Sequence, residues 1–133
     1  GTSGALWGVA LRNWSGELSD ETAISADAIA AGARAGVDAI MRFGRARVGD
    51  KTLVDSFVPF AATLADEVGK GQPLPAAWNA AARSATKAAE ATAQLAPKMG
   101  RAKAHTARSL GHPDAGAVSL ALCARVIGAA LEK

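Results

Sequence analysis
The residues best suited to chemistry crowd into one stretch, Pro97 to Ala117, in which the helical pattern of the rest of the chain lapses. Lys98, Arg101, Lys103 and Arg108 gather there, both histidines of the chain (His105 and His112) fall within it, and Asp114 is its only acid. A long unpatterned loop inside a small domain is uncommon and is either functional or disordered. Met99, Leu110 and the apolar run after Ala115 give this one places to dock. We read it as an anion-facing loop held against a helical scaffold, the rival being a solvated basic connector. Arg101 and Lys103 are suited to phosphate oxygens, Arg101 in a bidentate manner. Neither histidine has a cysteine or second histidine at ligand spacing, so the stretch does not read as a zinc site. No Ser–His–Asp or paired-carboxylate arrangement can be built from the spacing.

A second feature is the opening turn, Gly1-Thr2-Ser3-Gly4. Small residues leading into a helix offer free backbone N–H groups and the positive end of a helix dipole, which suits phosphate. It lacks the Gly-Lys-Ser/Thr ending of a Walker loop, and an ordinary helix N-cap explains the turn equally well.

The elements that must position these residues read as helices. Leu6, Val9 and Ala10 keep helical spacing after the opening turn. Ser19-Asp20-Glu21-Thr22 has the form of a helix start, and the helix it opens runs to about Phe43. In it Ile24, Ala28, Ala31, Ala35 and Ala39 share one face, with Ile29, Gly32, Gly36 and Ile40 beside them. Interior glycines cost about 1 kcal/mol each against alanine, so Gly32 and Gly36 imply a close neighbour. Gly44 to Gly49 is a turn carrying Arg45 and Arg47. Asp50 caps a helix beginning at Lys51, with Leu53, Phe57, Phe60, Leu64 and Val68 at close to helical period and Pro59 placed to kink it. Gly69-Lys70-Gly71-Gln72-Pro73 ends it. An Ala-rich helix follows from Leu74 to Ala96, with Pro75 in its first turn, and a strongly apolar last helix covers Ala117 to Leu131. That makes five helices, with short connections setting neighbours antiparallel.

Composition agrees. The 133 residues form one domain at most; half are hydrophobic, aromatics are 5% and Tyr is absent, a mix for close-packed helices rather than sheets. A net charge of +3 without aromatics interleaved among the basic residues does not point to nucleic acid. No apolar run is long enough for a membrane span and no signal peptide is present, so the expectation is a cytoplasmic protein with no membrane partner. Cys123, the single cysteine, lies in an apolar helical run and reads as a buried small hydrophobe; Met41 and the Phe57/Phe60 pair read as core.

Five motifs in order carry a resemblance: Gly1-Thr2-Ser3-Gly4-Ala5-Leu6-Trp7-Gly8, Gly49-Asp50-Lys51-Thr52-Leu53-Val54-Asp55, Ala89-Glu90-Ala91-Thr92, Gly100-Arg101-Ala102 and Ser109-Leu110-Gly111-His112-Pro113-Asp114-Ala115-Gly116-Ala117. Together they resemble the nucleotide-binding L domain of the dihydroxyacetone kinases, over essentially all 133 residues. The resemblance implies an all-α barrel or bundle of antiparallel amphipathic helices with ADP or ATP across one end. By motif, Thr2 and Ser3 meet the phosphates at the helix start, Gly44 and Leu53 flank the adenine, and Arg101 faces the phosphates. Asp114, Ala115 and Gly116 form the turn over the nucleotide. Leu53 stands where the family often has Met, and Ala115 replaces its usual Pro. Asp50-Lys51-Thr52 is expected to cap the adenine-side helix. Lys103 to Ala107 depart from the Ser-Tyr-Leu-Gly-Glu pattern of the dihydroxyacetone enzymes, which opens the sugar to a related ketotetrose such as erythrulose.

The family holds magnesium with aspartates of a Gly-Asp-Gly-Asp type motif upstream of the opening turn, and Asp20, Asp27 and Asp38 have neither that spacing nor that context. The expectation is a partial domain over residues 1–133, lacking the family's first helices and exposing apolar faces, and inactive alone because divalent cations neutralise the phosphates during transfer. The implied activity is phosphoryl transfer to a short ketose, with the sugar held by a separate K domain. ATP is the donor in two-domain kinases, whereas the separate subunit keeps its nucleotide and is recharged by a phosphotransferase-system protein; a homodimeric intact enzyme is implied. The reading from a different class is a non-catalytic helical interaction or regulatory module.

Overall fold
The computed structural model describes residues 9, 10, 13, 25–96 and 110–132. Among them are four α-helices, α1 (Ala26–Gly44), α2 (Val54–Gly69), α3 (Leu74–Ala91) and α4 (Ala115–Leu131), with a 3₁₀ turn at Thr92–Gln94 after α3 and no strand. Val9, Ala10 and Asn13 are helical as well. The chain is an all-α bundle, as composition and periodicity predict.

Each helix has a physical start and stop. α1 opens at Ser25, whose hydroxyl accepts the Ala28 N–H at 3.1 Å, with Asp27 in the first turn. The start expected at Ser19–Thr22 lies outside the described residues. α1 ends at Arg45 in the left-handed conformation. α2 ends as the Gly-Lys-Gly sequence predicts: Lys70 N–H donates to the Asp66 carbonyl and Gln72 N–H to that of Glu67, with Gly71 at φ 85°. α3 places proline in its first turn. It stops at Ala91 rather than Ala96, where the Thr92 hydroxyl, donating to the Ala89 carbonyl at 2.6 Å, accompanies a tightening to 3₁₀. α4 begins at Ala115, two residues before the expected Ala117, because Asp114 supplies a cap.

Helix packing is set by small residues. The buried residues of α1 are Ala30, Gly32, Ala33, Gly36, Val37, Ala39 and Ile40; Gly32, Gly36, Ala39 and Ile40 were predicted, whereas Ala31 is exposed and Ala28 and Ala35 are half-buried, so the buried face is turned toward Ala33 and Val37. Gly36 has the close neighbours its cost implied: a Cβ there would stand 3.2 Å from the Phe57 ring and 3.3 Å from the Ala10 carbonyl oxygen. α2 contributes Phe57, Phe60 and Leu64 to the core, and the α3 face is Ala77, Trp78, Ala81, Ala82, Ala85 and Ala89. Fully burying a side chain such as Leu64 or Ile40 contributes about 1.5–3 kcal/mol. Phe60 meets Trp78 edge-on at 4.9 Å between ring centres, and Trp78 Nε1 donates to the Ala124 carbonyl at 2.7 Å, fastening α3 to α4. Met41 packs against this core.

Cross-helix bonds fix the directions. The short link from Gly69 to Leu74 turns α3 back along α2, where Thr63 Oγ1 meets Ser84 Oγ at 2.8 Å, and Trp78–Ala124 near the start of α3 with Thr92–Asp114 just past its end sets α4 antiparallel to α3. α2 and α4 therefore run parallel, and their N-termini arrive at one end of the bundle. α4 turns its other face outward: Val118, Leu122, Val126 and Ile127 are exposed. Cys123 lies on that face and is exposed, which corrects the buried reading; α4 is apolar on both sides, and Cys123 falls beside exposed Leu122 while Ala121 and Ala124 take the core side. No helix among the described residues is long and apolar enough to cross a membrane.

Candidate functional site
The end of the bundle where α2 and α4 begin also receives the C-terminus of α3, and the turn following α1 leads into it. It is built from two turns. The first, Arg47 to Leu53, is organised by carboxylates pointing into backbone. Asp50 accepts the Arg47 N–H at 2.9 Å, closing the turn after α1. Asp55, 5% exposed, accepts the Gly49 N–H on Oδ1 at 2.6 Å and the Thr52 N–H on Oδ2 at 2.8 Å. Thr52 Oγ1 accepts the Val54 N–H at 3.2 Å. The helix accordingly starts at Val54, not Lys51, and Asp50 is not its cap. The carboxylate that matters lies inside the helix and reaches back, leaving Asp50 to the preceding turn. Gly49, at φ 100°, supplies a conformation that side chains resist. Lys51 holds a left-handed φ of 61° while 3% exposed.

The second turn leads into α4. Asp114 is its N-cap, with Oδ2 accepting the Ala117 N–H at 2.9 Å. Its own N–H donates to Thr92 Oγ1 at 2.7 Å, and the Gly111 N–H donates to the Ala93 carbonyl at 2.8 Å. The end of α3 thus holds the turn from beneath. Thr92 is 1% exposed and uses its hydroxyl both ways.

The two turns touch. A Cβ on Gly116 would stand 3.4 Å from Leu53 Cβ and 3.6 Å from Leu53 N. Ser56, fully buried, donates across to the Ala117 carbonyl at 3.0 Å. Burial pushes the Asp114 carboxyl above its ordinary value; the Gly116 and Ala117 N–H groups and the charge of Lys51 oppose this, while the negative charge of Asp55 adds to it.

Of the residues predicted from sequence, Leu53, Asp114, Ala115 and Gly116 come together here. Gly44, the last residue of α1, is half-buried and begins the link that ends at Leu53. Leu53 is buried and Ala115 exposed. Thr2, Ser3 and Arg101 lie outside the described residues, as do Lys98, Lys103, His105 and Arg108. His112 is exposed beside the second turn. Among the described residues no group of three or more His, Cys, Asp or Glu side chains is placed to hold a metal ion. Sequence reasoning missed Asp55, Ser56 and Thr92. Asp55 had a signal, an acid in the first turn of a helix behind a glycine-containing turn, whereas Ser56 and Thr92 gain their roles only through long-range contacts.

The family model described as the DAK2 domain matches residues 1–129. The chain is 48% identical over 131 residues to the L-erythrulose kinase of Pectobacterium atrosepticum, and 49% identical over 127 residues to the D-erythrulose kinase of Mycolicibacterium smegmatis. These alignments cover 98% and 96% of this chain and 22% of each relative, so the chain spans about a fifth of their length. It is 33% identical over 100 residues to the ADP-binding subunit DhaL of the PEP-dependent dihydroxyacetone kinase of Escherichia coli, covering 75% of this chain and 48% of that subunit.

Proposed function
We propose, from the premise that this chain belongs to the DAK2 domain family, that it is the nucleotide-holding part of a larger kinase. That kinase transfers a phosphoryl group from ATP to a hydroxyl of a short ketose carried by a separate K-type domain. The observation that carries the reading is the contact between the Leu53 turn and the Asp114–Gly116 turn at the end of the bundle where two helices begin. Helix N-termini favour anions, and a purine needs apolar surface beside such an end. Gly44 and Leu53 are assigned to the adenine side, Asp114, Ala115 and Gly116 to the turn over the nucleotide, and Thr2, Ser3 and Arg101 to the phosphates.

The sugar is assigned as a tetrose related to erythrulose, in preference to dihydroxyacetone. Support comes from the higher identity to relatives named erythrulose kinases than to the dihydroxyacetone subunit, together with the departure at Lys103 to Ala107. The same comparison favours ATP over a phosphotransferase-system donor. Mg²⁺ would neutralise the phosphates during transfer, and the described residues do not fit it as a cluster.

Calorimetric titration of ADP with Mg²⁺ into the intact kinase tests the reading. Tight binding is expected, weakened in Arg101→Ala by about 1–3 kcal/mol as a charge-assisted bond is lost. Absence of binding at millimolar ADP in a folded protein would overturn the assignment, and an unchanged affinity in Arg101→Ala would remove that residue from it.

A further inference from the structure
Where α1 ends and the link to α2 begins, Arg42, Phe43, Arg45, Arg47 and Val48 are all exposed, with Gly44 half-buried and Ala46 buried between them. Phe43 is 62% and Val48 57% exposed. A solvated helix end explains part of this. A cation suits the negative end of a helix, and Arg47 serves there: its Nη1 donates to the Met41 carbonyl at 3.1 Å and to the Ala46 carbonyl at 3.0 Å. Arg42 and Arg45 are left over. Asp38, one turn before Arg42, faces Arg34 at 3.9 Å, and Asp50 turns its carboxylate to the Arg47 N–H. Among the described residues neither Arg42 nor Arg45 has an ion pair. Arg45 also holds a left-handed φ of 54° at a helix C-terminus, where glycine is the residue that adopts it without strain. The bundle requires neither an arginine there nor a phenylalanine in water two positions earlier. Arginines around an exposed aromatic have the composition of a protein interface, whereas a phosphate site gathers its donors from small residues onto one anion.

Position says which protein. The link that begins at Arg45 ends at Leu53, so the patch lies at the end of the bundle where the two turns meet. In the nucleotide reading above, the phosphoryl group leaves from that end, and the domain carrying the sugar has to approach it. Resting on that reading, we propose that Arg42, Phe43, Arg45 and Val48 form the docking surface for the sugar-carrying domain. The face they meet presents carboxylates around an apolar centre. A second copy of this chain fits less well, because a two-fold contact through the patch would set these arginines against their own counterparts. Exposed charge pairs add more to encounter and orientation than to affinity. That suits a contact that forms and parts in each turnover.

The test uses the intact kinase, measuring kcat across a salt series and the affinity for ADP by calorimetry. Reversing both charges, Arg42→Glu with Arg45→Glu, is expected to lower kcat about tenfold and to leave ADP affinity within about twofold; Phe43→Ser should lower kcat about threefold. In the parent, kcat should fall severalfold as NaCl rises from about 50 to about 500 mM, whereas Arg42→Gln with Arg45→Gln should flatten that dependence. These glutamine replacements sit at exposed positions and keep the test open where charge reversal harms the fold. The Arg45→Lys kinase adds a direct readout. Carbodiimide joins an amine to a carboxylate, and peptide mass spectrometry should find position 45 linked to an acidic residue outside residues 1–133. Links confined to residues 1–133, within one copy or between two, would overturn the proposal. So would a kcat and salt dependence that none of the variants alters. A fall in ADP affinity matching the fall in kcat would place the arginines on the nucleotide and overturn it too. A parent kinase that takes up no ADP removes the nucleotide reading together with this one; a parent that binds ADP, with kcat unmoved in every variant, removes the docking surface alone.

Discussion
Asp114 gives the sharpest stability test, because its carboxyl does two things of opposite sign. As the α4 cap it accepts the Ala117 N–H at 2.9 Å, a service whose removal costs about 1 kcal/mol, within a range of roughly 0.5–2. As a half-buried anion near Asp55 it is disfavoured, and its pKa lies above the ordinary 3.8. The folded chain therefore takes up a proton at Asp114 at higher pH than the unfolded chain does. The penalty for the charge is in full force above the raised value, shrinks as pH falls through it, and is gone below the ordinary value. Asp114→Asn keeps an oxygen for Ala117 and removes the charge. It should be at least as stable as the parent at pH 7, with the difference closing as acid protonates the parent. Asp114→Ala should lose about 1 kcal/mol, a drop in Tm of roughly 3–5 °C for a domain of this size. Urea unfolding followed by far-ultraviolet circular dichroism, run at pH 7 and repeated down to pH 4, reads both effects on the same scale. If Asp114→Asn is as destabilised as Asp114→Ala at pH 7, the charge is helping and the reasoning is wrong.

Thr92→Ala leaves the Asp114 N–H without its acceptor in a site that is 1% exposed; it should cost about 1–3 kcal/mol, and Thr92→Ser should restore most of that, read by the same denaturation. Gly36→Ala should destabilise by about 1–3 kcal/mol despite the gain of about 1 in helix propensity, since the new methyl meets the Phe57 ring and the Ala10 carbonyl. Gly128→Ala should also destabilise by about 1–3 kcal/mol: the Asn79 side chain can swing away from the new methyl, but the buried Trp78 ring, 3.1 Å from that Cβ and held by its bond to the Ala124 carbonyl, has little room to give. A Gly128→Ala protein as stable as the parent would show that the Trp78 ring yields.

The helices were legible because each has a periodic apolar face and chemical punctuation: Gly69–Gly71 behind α2, proline at the front of α3. Legibility failed where a bond crosses between helices. Nothing near Thr92 in sequence announces that its hydroxyl will catch the N–H of a residue 22 positions on. Asp50 looked like a cap because it precedes an apolar run, yet α2 has no side-chain cap, and it is Asp55, the second residue of the helix, that reaches backward to hold the preceding turn. The stripe of α1 was placed in part, with Gly32, Gly36, Ala39 and Ile40 buried but Ala31 exposed, because a helix rich in Ala and Gly offers several faces of nearly equal hydrophobicity and packing against Phe57 chooses among them. Cys123 misled for a related reason, since α4 is apolar on both sides and only one side meets α3.

Those failures share a cause that also explains how the site is held. α3 meets its neighbours through alanines, which lets helices approach closely but leaves few large side chains to lock one arrangement against a slide along the axis. Direction and register come instead from polar bonds: Thr63 to Ser84, Trp78 to Ala124, Ser56 to Ala117 and Thr92 to Asp114. Two of the four lie at the end where the Leu53 and Gly116 turns meet. A slide of α4 by one residue would move its N-terminus about 1.5 Å, enough to break both bonds and open the contact between the turns. The polar residues at that end are therefore what makes an interior of small side chains specific, and substitutions there should disturb the site more than they disturb the bundle.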